Sequence, residues 1–291
     1  MRILRRKKGN QIYIYLQHSF RQRGKVRTVE KYLGKAEELS DKNVKRKIQE
    51  MTNEILKASR DIFYKKLEDI KKNFQAEWKR IPESAKKKEL EEIAIAFTYN
   101  TNAIEGSTIT LQETREIIHD RISPNKPLRD VIETESHNKV FFQMLSKEEK
   151  ITNELLLRWH KEIFGETKSD IAGMYRDYLV KVGSYLAPNW QEVNKMMEKL
   201  INFIFKNRKM NPVELSARAH YKFEKIHPFG DGNGRIGRLL MNCILWHSGY
   251  PMLIIEHKKR KSYYKALQKD EEGFISYFIR KYLTAHKSRY I

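Results

Sequence analysis

The feature that most constrains this chain is a twelve-residue segment, residues 227–238, which reads His-Pro-Phe-Gly-Asp-Gly-Asn-Gly-Arg-Ile-Gly-Arg. An apolar pattern typical of a helix runs through residues 212–226 and resumes from about residue 235. Pro228 ends the first helix because proline lacks a backbone donor and disfavours helical angles in the residue before it. The segment is therefore predicted to be a glycine-rich loop between two helices, with His227 at the mouth of the loop.

The residues of this loop are suited to phosphate chemistry. The N-terminus of the second helix should bind phosphate, because its first N–H groups are free and the helix dipole is positive there. Residues 232–234 allow the backbone to approach a ligand closely. Arg235 and Arg238 are three positions apart and are predicted to reach the same phosphate. Asp231 supplies an oxygen ligand of the kind that Mg²⁺ takes beside phosphates and water.

Each of these features has an ordinary alternative when it is taken alone. The histidine could be a surface residue, the glycines a simple turn, and the arginines contacts for nucleic acid. A base, a metal ligand, an anion site and two guanidinium groups within one short segment favour a phosphoryl-transfer site instead.

The segment resembles the Fic motif, His-Pro-Phe-x-Asp-Gly-Asn-Gly-Arg-x-x-Arg, at all nine specified positions. The resemblance covers roughly residues 90–285 and includes Gly173-x-Tyr175-Arg176 and the pair Tyr263-Tyr264. The chain is similar in particular to the animal Fic adenylyltransferases. The fold that this implies is mainly α, a Fic-type helical bundle with a short β-hairpin flap.

The resemblance also implies a function, that of a Mg²⁺-dependent protein adenylyltransferase. Such an enzyme transfers AMP from ATP to a Ser, Thr or Tyr hydroxyl of a target protein, or of itself. His227 would be the catalytic base and Asp231 the metal ligand. Gly234 favours AMP transfer, since the phosphotransferase branch of the family has lysine there. The implied nucleotide-binding residues are Val182, Gly183, Ser184, Tyr185, Asp231, Gly232, Asn233, Gly234, Arg235, Ile236, Gly237, Arg238, Tyr263 and Tyr264.

Residues 101–106, Thr-Asn-Ala-Ile-Glu-Gly, resemble the inhibitory pattern of the family, Ser/Thr-x-x-x-Glu-Gly/Asn. By that resemblance Glu105 pairs with Arg238 and occupies the guanidinium that the γ-phosphate needs. The ordinary alternative is a solvated carboxylate just before a helix-ending glycine. In relatives with this arrangement the glutamate can also support removal of AMP, so both directions of the reaction remain open. The chain departs from the family at Glu271, where asparagine is often found near the base of the nucleotide.

The rest of the chain is predicted to be helical apart from two hairpins. Residues 174–189 carry β-forming residues around Gly183 and end at Pro188, which predicts the flap. Further helical patterns occupy 112–122, 131–146, 152–164, 190–206 and 262–285. The predicted domains are a basic β-hairpin over 1–35, a long amphipathic helix or linker over 36–85, and a catalytic domain over 86–291 with the inhibitory helix around 90–106.

The N-terminal third carries most of the positive charge. Residues 1–90 contain 26 basic and 12 acidic residues, so this part contributes +14 of the total charge of +21. Such a region could neutralise the phosphates of a nucleic acid, or it could be a docking or homodimerisation arm with solvated lysines. A second hypothesis is therefore a nucleic-acid-binding regulator whose Fic core is idle or secondary.

Cysteine content and hydropathy indicate the compartment. Cys243 is the only cysteine, so an intrachain disulfide is excluded. No segment approaches the roughly 18 consecutive apolar residues that span a bilayer. The basic N-terminus leads into polar residues rather than a secretory apolar stretch. We expect a cytoplasmic protein without a membrane partner.

Overall fold

The computed structural model describes residues 2–22, 25–39, 41–183 and 185–291 of the chain. Contacts between Cα atoms divide the chain into two units, Met1–Lys65 and Lys66–Ile291. The division lies inside a helix that is continuous from Asp41 to Arg80. The domain limits that we predicted at residues 35 and 85 stay a prediction.

The N-terminal unit contains a three-stranded antiparallel sheet in the order β1 (Arg2–Lys8), β2 (Gln11–Gln22) and β3 (Lys25–Lys35). Strands β2 and β3 form the predicted hairpin, and β1 is an additional strand. The sequence did not predict β1 because most of its side chains are basic and exposed, and they show no apolar alternation. One face of the sheet has a small core of Ile14, Leu16, Leu33 and Met51.

The predicted long helix is present as α1 (Asp41–Arg80), 40 residues in length. No glycine or proline interrupts it. Of the predicted apolar stripe, Leu67, Ile70 and Phe74 are buried in the second unit. The side chains of residues 52–62 lie outside the described part, so their share of the stripe is not assigned.

The second unit is mainly helical, as predicted. Its helices are α2 (Glu83–Ile104), α3 (Leu111–Arg115), α4 (Leu128–Ser146), α5 (Asn153–Phe164), α6 (Val193–Lys206), α7 (Pro212–Ile226), α8 (Asn233–His247), α9 (Arg260–Leu267) and α10 (Glu271–Tyr290). The flap hairpin lies between α5 and α6 and pairs β4 (Lys181–Val182) with β5 (Tyr185–Leu186).

Two helical predictions differ from the structure. The pattern over 112–122 is divided into α3 and a π-helical turn at Glu116–Asp120. The pattern over 262–285 is two helices rather than one, because Asp270 caps the N-terminus of α10 by accepting a 2.8 Å hydrogen bond from the Gly273 N–H. A capping aspartate inside an apolar periodicity was not recognised as a break.

Helices α7 and α8 pack against each other at the centre of this unit. Every residue of α8 from Asn233 to Leu245 is buried, and α4, α5 and α6 contribute to the same core. The loop between α7 and α8 is consequently joined to two helices that are anchored in the core. In the part of the chain that the structure describes, no helix is long and apolar enough to cross a membrane.

Candidate active site

His227 ends α7 in a left-handed backbone conformation, with φ of 51° and ψ of 61°. Its N–H donates to the Phe223 carbonyl at 2.9 Å, so the residue caps the helix while the chain turns away from the helix axis. Burial lowers the pKa of the imidazole, the charge of Arg176 acts in the same direction, and a hydrogen bond to the Glu224 backbone opposes them. The ring is thus largely neutral at pH 7 and able to accept a proton.

Arg176 holds the backbone of His227 in this position. Its Nε donates to the His227 carbonyl at 2.8 Å, and its other nitrogens donate to the carbonyls of Tyr178 at 2.8 Å and Pro188 at 2.7 Å. Tyr178 and Pro188 flank the flap hairpin. One buried guanidinium therefore joins the base of the flap to the candidate catalytic histidine.

The glycine-rich loop is held by internal contacts. The side chain of Asn233 accepts from the Phe229 N–H at 2.8 Å and donates to the Phe229 carbonyl at 2.9 Å. Phe229 is fully buried and stacks on His160, with ring centroids 3.9 Å apart. Gly232 has φ of +77°, and a Cβ there would overlap the ring of Phe164. The loop thus requires glycine at 232 both for conformation and for space.

The neutral imidazole of His160 holds the glycine-rich loop through hydrogen bonds of its two ring nitrogens. Its Nδ1 accepts from the Gly173 N–H at 2.9 Å, so Nε2 carries the hydrogen and donates to the Asp231 carbonyl at 3.0 Å. Burial lowers the pKa of His160 to about 4, which is consistent with this tautomer. The Gly173 of the Gly-x-Tyr-Arg segment is therefore connected to the loop through one histidine.

The carboxylate of Asp231 lies at the exposed side of the loop and is paired with a lysine. Asp231 Oδ1 accepts from the Gly232 N–H at 2.6 Å, and Oδ2 lies 2.8 Å from Lys168 Nζ and 3.7 Å from Arg235 Nη2. Burial opposes ionisation of Asp231, but Lys168 and Arg235 outweigh it and hold its pKa below the usual value. In the described residues no group of three or more His, Cys, Asp or Glu side chains could hold a metal ion.

The two arginines that were predicted to share a phosphate point to different partners. Arg235 is buried, forms an ion pair with Glu133, and lies over the ring of Phe164 at 4.3 Å. Arg238 is 1% exposed and donates through Nε to Thr101 Oγ1 at 2.6 Å and through Nη2 to Glu105 Oε1 at 2.6 Å. Both acceptors belong to α2 and the turn that follows it. The ion pair predicted between Glu105 and Arg238 is thus present.

The flap lies beside the C-terminal turn of α7. Tyr185 donates to the Lys225 carbonyl at 2.8 Å, and the Lys225 ammonium lies 4.6 Å from the centre of the Tyr185 ring. Val182 is exposed on β4, and Gly183 has φ of +59° in the turn. Ser184, which was predicted to bind nucleotide, lies outside the described residues.

The tyrosine pair is divided between the core and the surface. Tyr263 is 1% exposed, and its hydroxyl and His220 Nε2 are hydrogen-bonded at 2.7 Å. Tyr264 is 41% exposed and donates to the carbonyl of Ile104 at 3.3 Å. Glu271 is held by Arg218 and Lys222 at 2.9 Å each. Of the pair, only Tyr264 presents a ring at the surface.

The structure therefore brings most of the predicted residues to one place and separates a few. The loop residues 227–234 adjoin Arg238 and Glu105. By contrast, Ile236 and Gly237 face the contact between α7 and α8. Ile236 is in the core, and a Cβ at Gly237 would lie 2.8 Å from Glu224 Oε1. The sequence did not assign roles to Glu133, His160, Lys168 and Arg176. For Glu133 a signal was available, since it shares a helix face with the buried residues His137 and Val140.

Comparison with known proteins identifies this arrangement. Residues 150–245 match the family model described as Fic/DOC family. A Nematostella vectensis protein named Protein adenylyltransferase Fic is 34% identical over 201 residues, which cover 67% of this chain and 47% of the relative. The chain thus spans about half the length of that relative.

Solved structures agree with the sequence match. A Fic domain-containing signaling protein from Bacteroides thetaiotaomicron is 26% identical, with a TM-score of 0.65 over 75% of this chain and 97% of that chain. Fic-1 (residues 134–508) from C. elegans is 26% identical, with a TM-score of 0.70 over 83% of this chain and 74% of that chain. The predicted helical bundle with a short flap is confirmed, and the chain belongs to the Fic/DOC family.

Proposed function

We propose that this chain is a protein adenylyltransferase that transfers AMP from ATP to a hydroxyl group of a target protein. The observation that carries the proposal is the position of His227 at the end of α7, beside a glycine-rich loop that leads into the N-terminus of α8. A neutral base and an anion-binding helix end are adjacent there. Relatives that match two thirds of the chain are named protein adenylyltransferases.

In this reaction His227 removes the proton of a Ser, Thr or Tyr hydroxyl. The hydroxyl oxygen then forms a bond to the α-phosphorus of ATP, while the bond from that phosphorus to the oxygen bridging the α- and β-phosphates breaks and pyrophosphate leaves. The N–H groups of the first turn of α8 stabilise the negative charge that develops on the α-phosphate. Arg238 stabilises the leaving pyrophosphate once Glu105 has released it.

Mg²⁺ fits the site through Asp231, the carboxylate at the exposed side of the loop. Its side chain is 47% exposed, and an ion of this type takes one or two carboxylates with the remaining ligands from phosphates and water. When bound, Mg²⁺ would neutralise phosphate charge. The protein contribution is to keep Asp231 ionised, which the low pKa of this carboxyl ensures at neutral pH.

We further propose that Glu105 keeps the enzyme in an inhibited state. The support is the 2.6 Å hydrogen bond between Arg238 and Glu105, together with the second bond of Arg238 to Thr101. Nε and Nη2 of Arg238 are thus occupied by acceptors on α2 and in the turn after it, and Glu105 covers the guanidinium where it adjoins Gly234. Binding of the γ-phosphate in a productive position therefore requires Glu105 to move away.

The flap is the proposed docking edge for the target segment. Strands β4 and β5 are two residues each and pair only with one another in the described residues, so a backbone edge of the hairpin is open to an added strand. Such an interaction demands little target sequence. The chain itself is then also a substrate, and self-modification gives a convenient measurement.

The test uses full-length Glu105→Gly protein with Mg²⁺ and ATP labelled at either the α- or the γ-phosphate. We expect protein-bound α-label and no γ-label, and we expect the α-label to be absent from the Glu105→Gly/His227→Ala variant. Transfer of the γ-label alone would exclude AMP transfer. A matched control is Glu92→Gln on α2, which removes the charge of an exposed glutamate paired with Arg115 and should leave the protein inhibited.

We propose a second activity for the N-terminal unit, on the face of its sheet opposite Leu16 and Leu33. The ring of Tyr32 is tilted against those of Tyr15 and Tyr13, with centroids 5.4 Å and 6.1 Å away, and the guanidinium of Arg6 lies 4.8 Å from the centre of the Tyr15 ring. Aromatic rings beside basic residues are typical of surfaces that bind single-stranded nucleic acid. We propose such binding for this face, in addition to catalysis and not in place of it.

The test is salt-dependent binding of a labelled single-stranded oligonucleotide to the full chain. Tyr32→Ala should weaken binding by about tenfold, within the range for loss of one stacked base. Val29→Ala removes a side chain from the other face and should have no effect. Equal affinities for wild type and Tyr32→Ala would exclude this face.

A further inference from the structure

Lys168 lies in the turn that follows α5, and its ammonium group sits between two carboxylates. Nζ is 2.8 Å from Asp231 Oδ2 and 2.8 Å from Glu133 Oε1. The side chain is 18% exposed and lies 4.9 Å from the centre of the Phe164 ring. The Lys168 N–H donates to the Phe164 carbonyl at 2.8 Å, so the backbone of this residue is fixed as well.

The partners of Lys168 are themselves held in place. Glu133 is 7% exposed and also accepts a 3.0 Å hydrogen bond from Thr167 and forms the ion pair with Arg235. The four charged groups Asp231, Glu133, Lys168 and Arg235 sum to zero. A divalent cation arriving at Asp231 would meet a site that is already neutral.

If Lys168 were absent, a metal ion would occupy the position of its Nζ atom. It lies within hydrogen-bonding distance of two carboxylate oxygens, and two carboxylates are the donors that Mg²⁺ or Mn²⁺ takes from a protein beside phosphates and water. With Lys168 in place, a metal ion must either share Asp231 Oδ2 with an ammonium group or displace it. Sharing weakens metal binding through repulsion of like charges, and displacement weakens it because the two ion pairs of the lysine are lost.

The same ammonium group is suited to a second task. Lysine binds phosphate as a point charge, and Lys168 stands beside the loop at which the phosphates of the nucleotide are proposed to bind. Its positive charge is therefore present at the phosphates whether or not a metal ion has entered.

We propose that Lys168 is a resident cation of the site, which competes with the divalent metal for Asp231 and makes nucleotide binding less dependent on that metal. The inference rests on the proposed function, because it takes Asp231 as the metal carboxylate. Lys168 acts here as a positioning residue for Asp231 and as a charge toward the phosphates.

The first test measures Mn²⁺ binding to the nucleotide-free full chain by electron paramagnetic resonance of the free ion. Lys168→Met should bind Mn²⁺ about tenfold more tightly than wild type, because the remaining group of Asp231, Glu133 and Arg235 carries a net negative charge. Lys168→Gln keeps hydrogen bonding without charge and should give a smaller gain. The control Lys139→Met removes an exposed lysine from α4, the helix of Glu133, and should match wild type.

Asp231→Asn in the Lys168→Met background should abolish the gain. If neither Lys168→Met nor Lys168→Gln binds Mn²⁺ more tightly than wild type, the resident-cation proposal is overturned. If the gain persists without the Asp231 carboxylate, the assignment to Asp231 is wrong. Neither result depends on AMP transfer, which the α-label experiment measures separately.

The second test measures ADP affinity by calorimetry with EDTA and with excess Mg²⁺. Lys168→Met should lose about tenfold in affinity in EDTA and much less in Mg²⁺, because the metal then supplies the missing charge. An equal loss under both conditions would show that Lys168 contributes to the nucleotide site without substituting for metal, and would overturn the proposal.

Discussion

Glu105 Oε1 lies 2.6 Å from Arg238 Nη2, and both side chains cover Gly234 so closely that a Cβ there would require Glu105 to move. A Cβ at position 234 would overlap Glu105 Oε1 and come within 2.8 Å of Arg238 Nη1. The glycine that distinguishes AMP transfer in the resemblance is thus also the residue that permits the inhibitory contact. The inhibitory turn therefore contacts the catalytic loop at Gly234, where the absence of a side chain leaves room for Glu105.

Gly234→Ala is therefore expected to destabilise the protein more when Glu105 is present than when it is absent. In the wild type the new methyl group forces Glu105 away from Arg238, which we expect to cost about 1–2 kcal/mol, as overpacking commonly does. In a Glu105→Ala background the overlap with Glu105 is gone and only the 2.8 Å approach to Arg238 Nη1 remains, which the preference for alanine over glycine in a helix, about 0.8 kcal/mol, partly offsets. Urea unfolding of the four proteins measures the coupling. Equal costs in both backgrounds would mean that Glu105 does not lie over Gly234 in solution.

Two glycines with positive φ provide a second, internally controlled prediction. Gly232 and Gly183 have φ of +77° and +59°, but a Cβ overlaps the Phe164 ring only at Gly232, and nothing lies within 4 Å at Gly183. We expect Gly183→Ala to cost about 1 kcal/mol for the backbone alone, and Gly232→Ala about 3 kcal/mol because overpacking adds to it. In a Phe164→Ala background the cost of Gly232→Ala should fall to that of Gly183→Ala. Thermal unfolding distinguishes these outcomes.

The sequence predicted the helices and the loop of this site better than the ion pairs of its side chains. The helix–loop–helix at 212–248 follows from Pro228, the glycines and the apolar periodicity, since these act locally. The separation of Arg235 from Arg238 does not follow from local pattern. Each guanidinium goes to the carboxylate that the tertiary fold brings near, Glu133 on α4 for one and Glu105 after α2 for the other. Contacts across a hundred residues of chain carry no periodic signal.

The same reason explains the missed strand and the orientation of Tyr263. Strand β1 is basic and exposed, so its pairing with β2 depends on backbone hydrogen bonds that side-chain patterns do not report. Tyr263 was placed in the nucleotide site by resemblance, whereas in this structure its hydroxyl is paired with the buried His220. Whether a tyrosine in a helix faces a ligand or the core depends on the rotation of that helix, which α10 and α7 fix here.

His160 predicts a specific dependence of stability on pH. Its pKa in the folded protein is lowered to about 4 by burial, whereas an unfolded histidine titrates near 6.5. The unfolded state therefore binds more protons between these values, and the free energy of unfolding should fall by about 3 kcal/mol from this group as the pH drops from about 6.5 to 4. His160→Gln should show a shallower decline, measured by urea unfolding across this range.

An exposed histidine gives the control for this measurement. A hydrogen bond to Glu91 raises the pKa of His119, so its contribution has the opposite sign and is lost as the pH rises through the folded pKa. His119→Gln should leave the decline toward pH 4 intact. A decline of the same steepness in wild type and His160→Gln would show that His160 is not held neutral by burial.

Arg176 is expected to affect catalysis through the position of His227. Arg176→Lys keeps the charge but cannot donate to the carbonyls of His227, Tyr178 and Pro188 at once, because an ammonium lacks the planar fork. We expect a loss of stability of about 2–4 kcal/mol and, in the Glu105→Gly background, a fall in kcat of about tenfold or more, since a displaced base is poorly aligned with the hydroxyl. The control is Arg208→Lys, whose guanidinium lies over the exposed ring of Phe205 and should change neither quantity. If Arg176→Lys lowers stability but leaves kcat unchanged at a temperature where the variant is folded, Arg176 supports the fold alone and does not position the base.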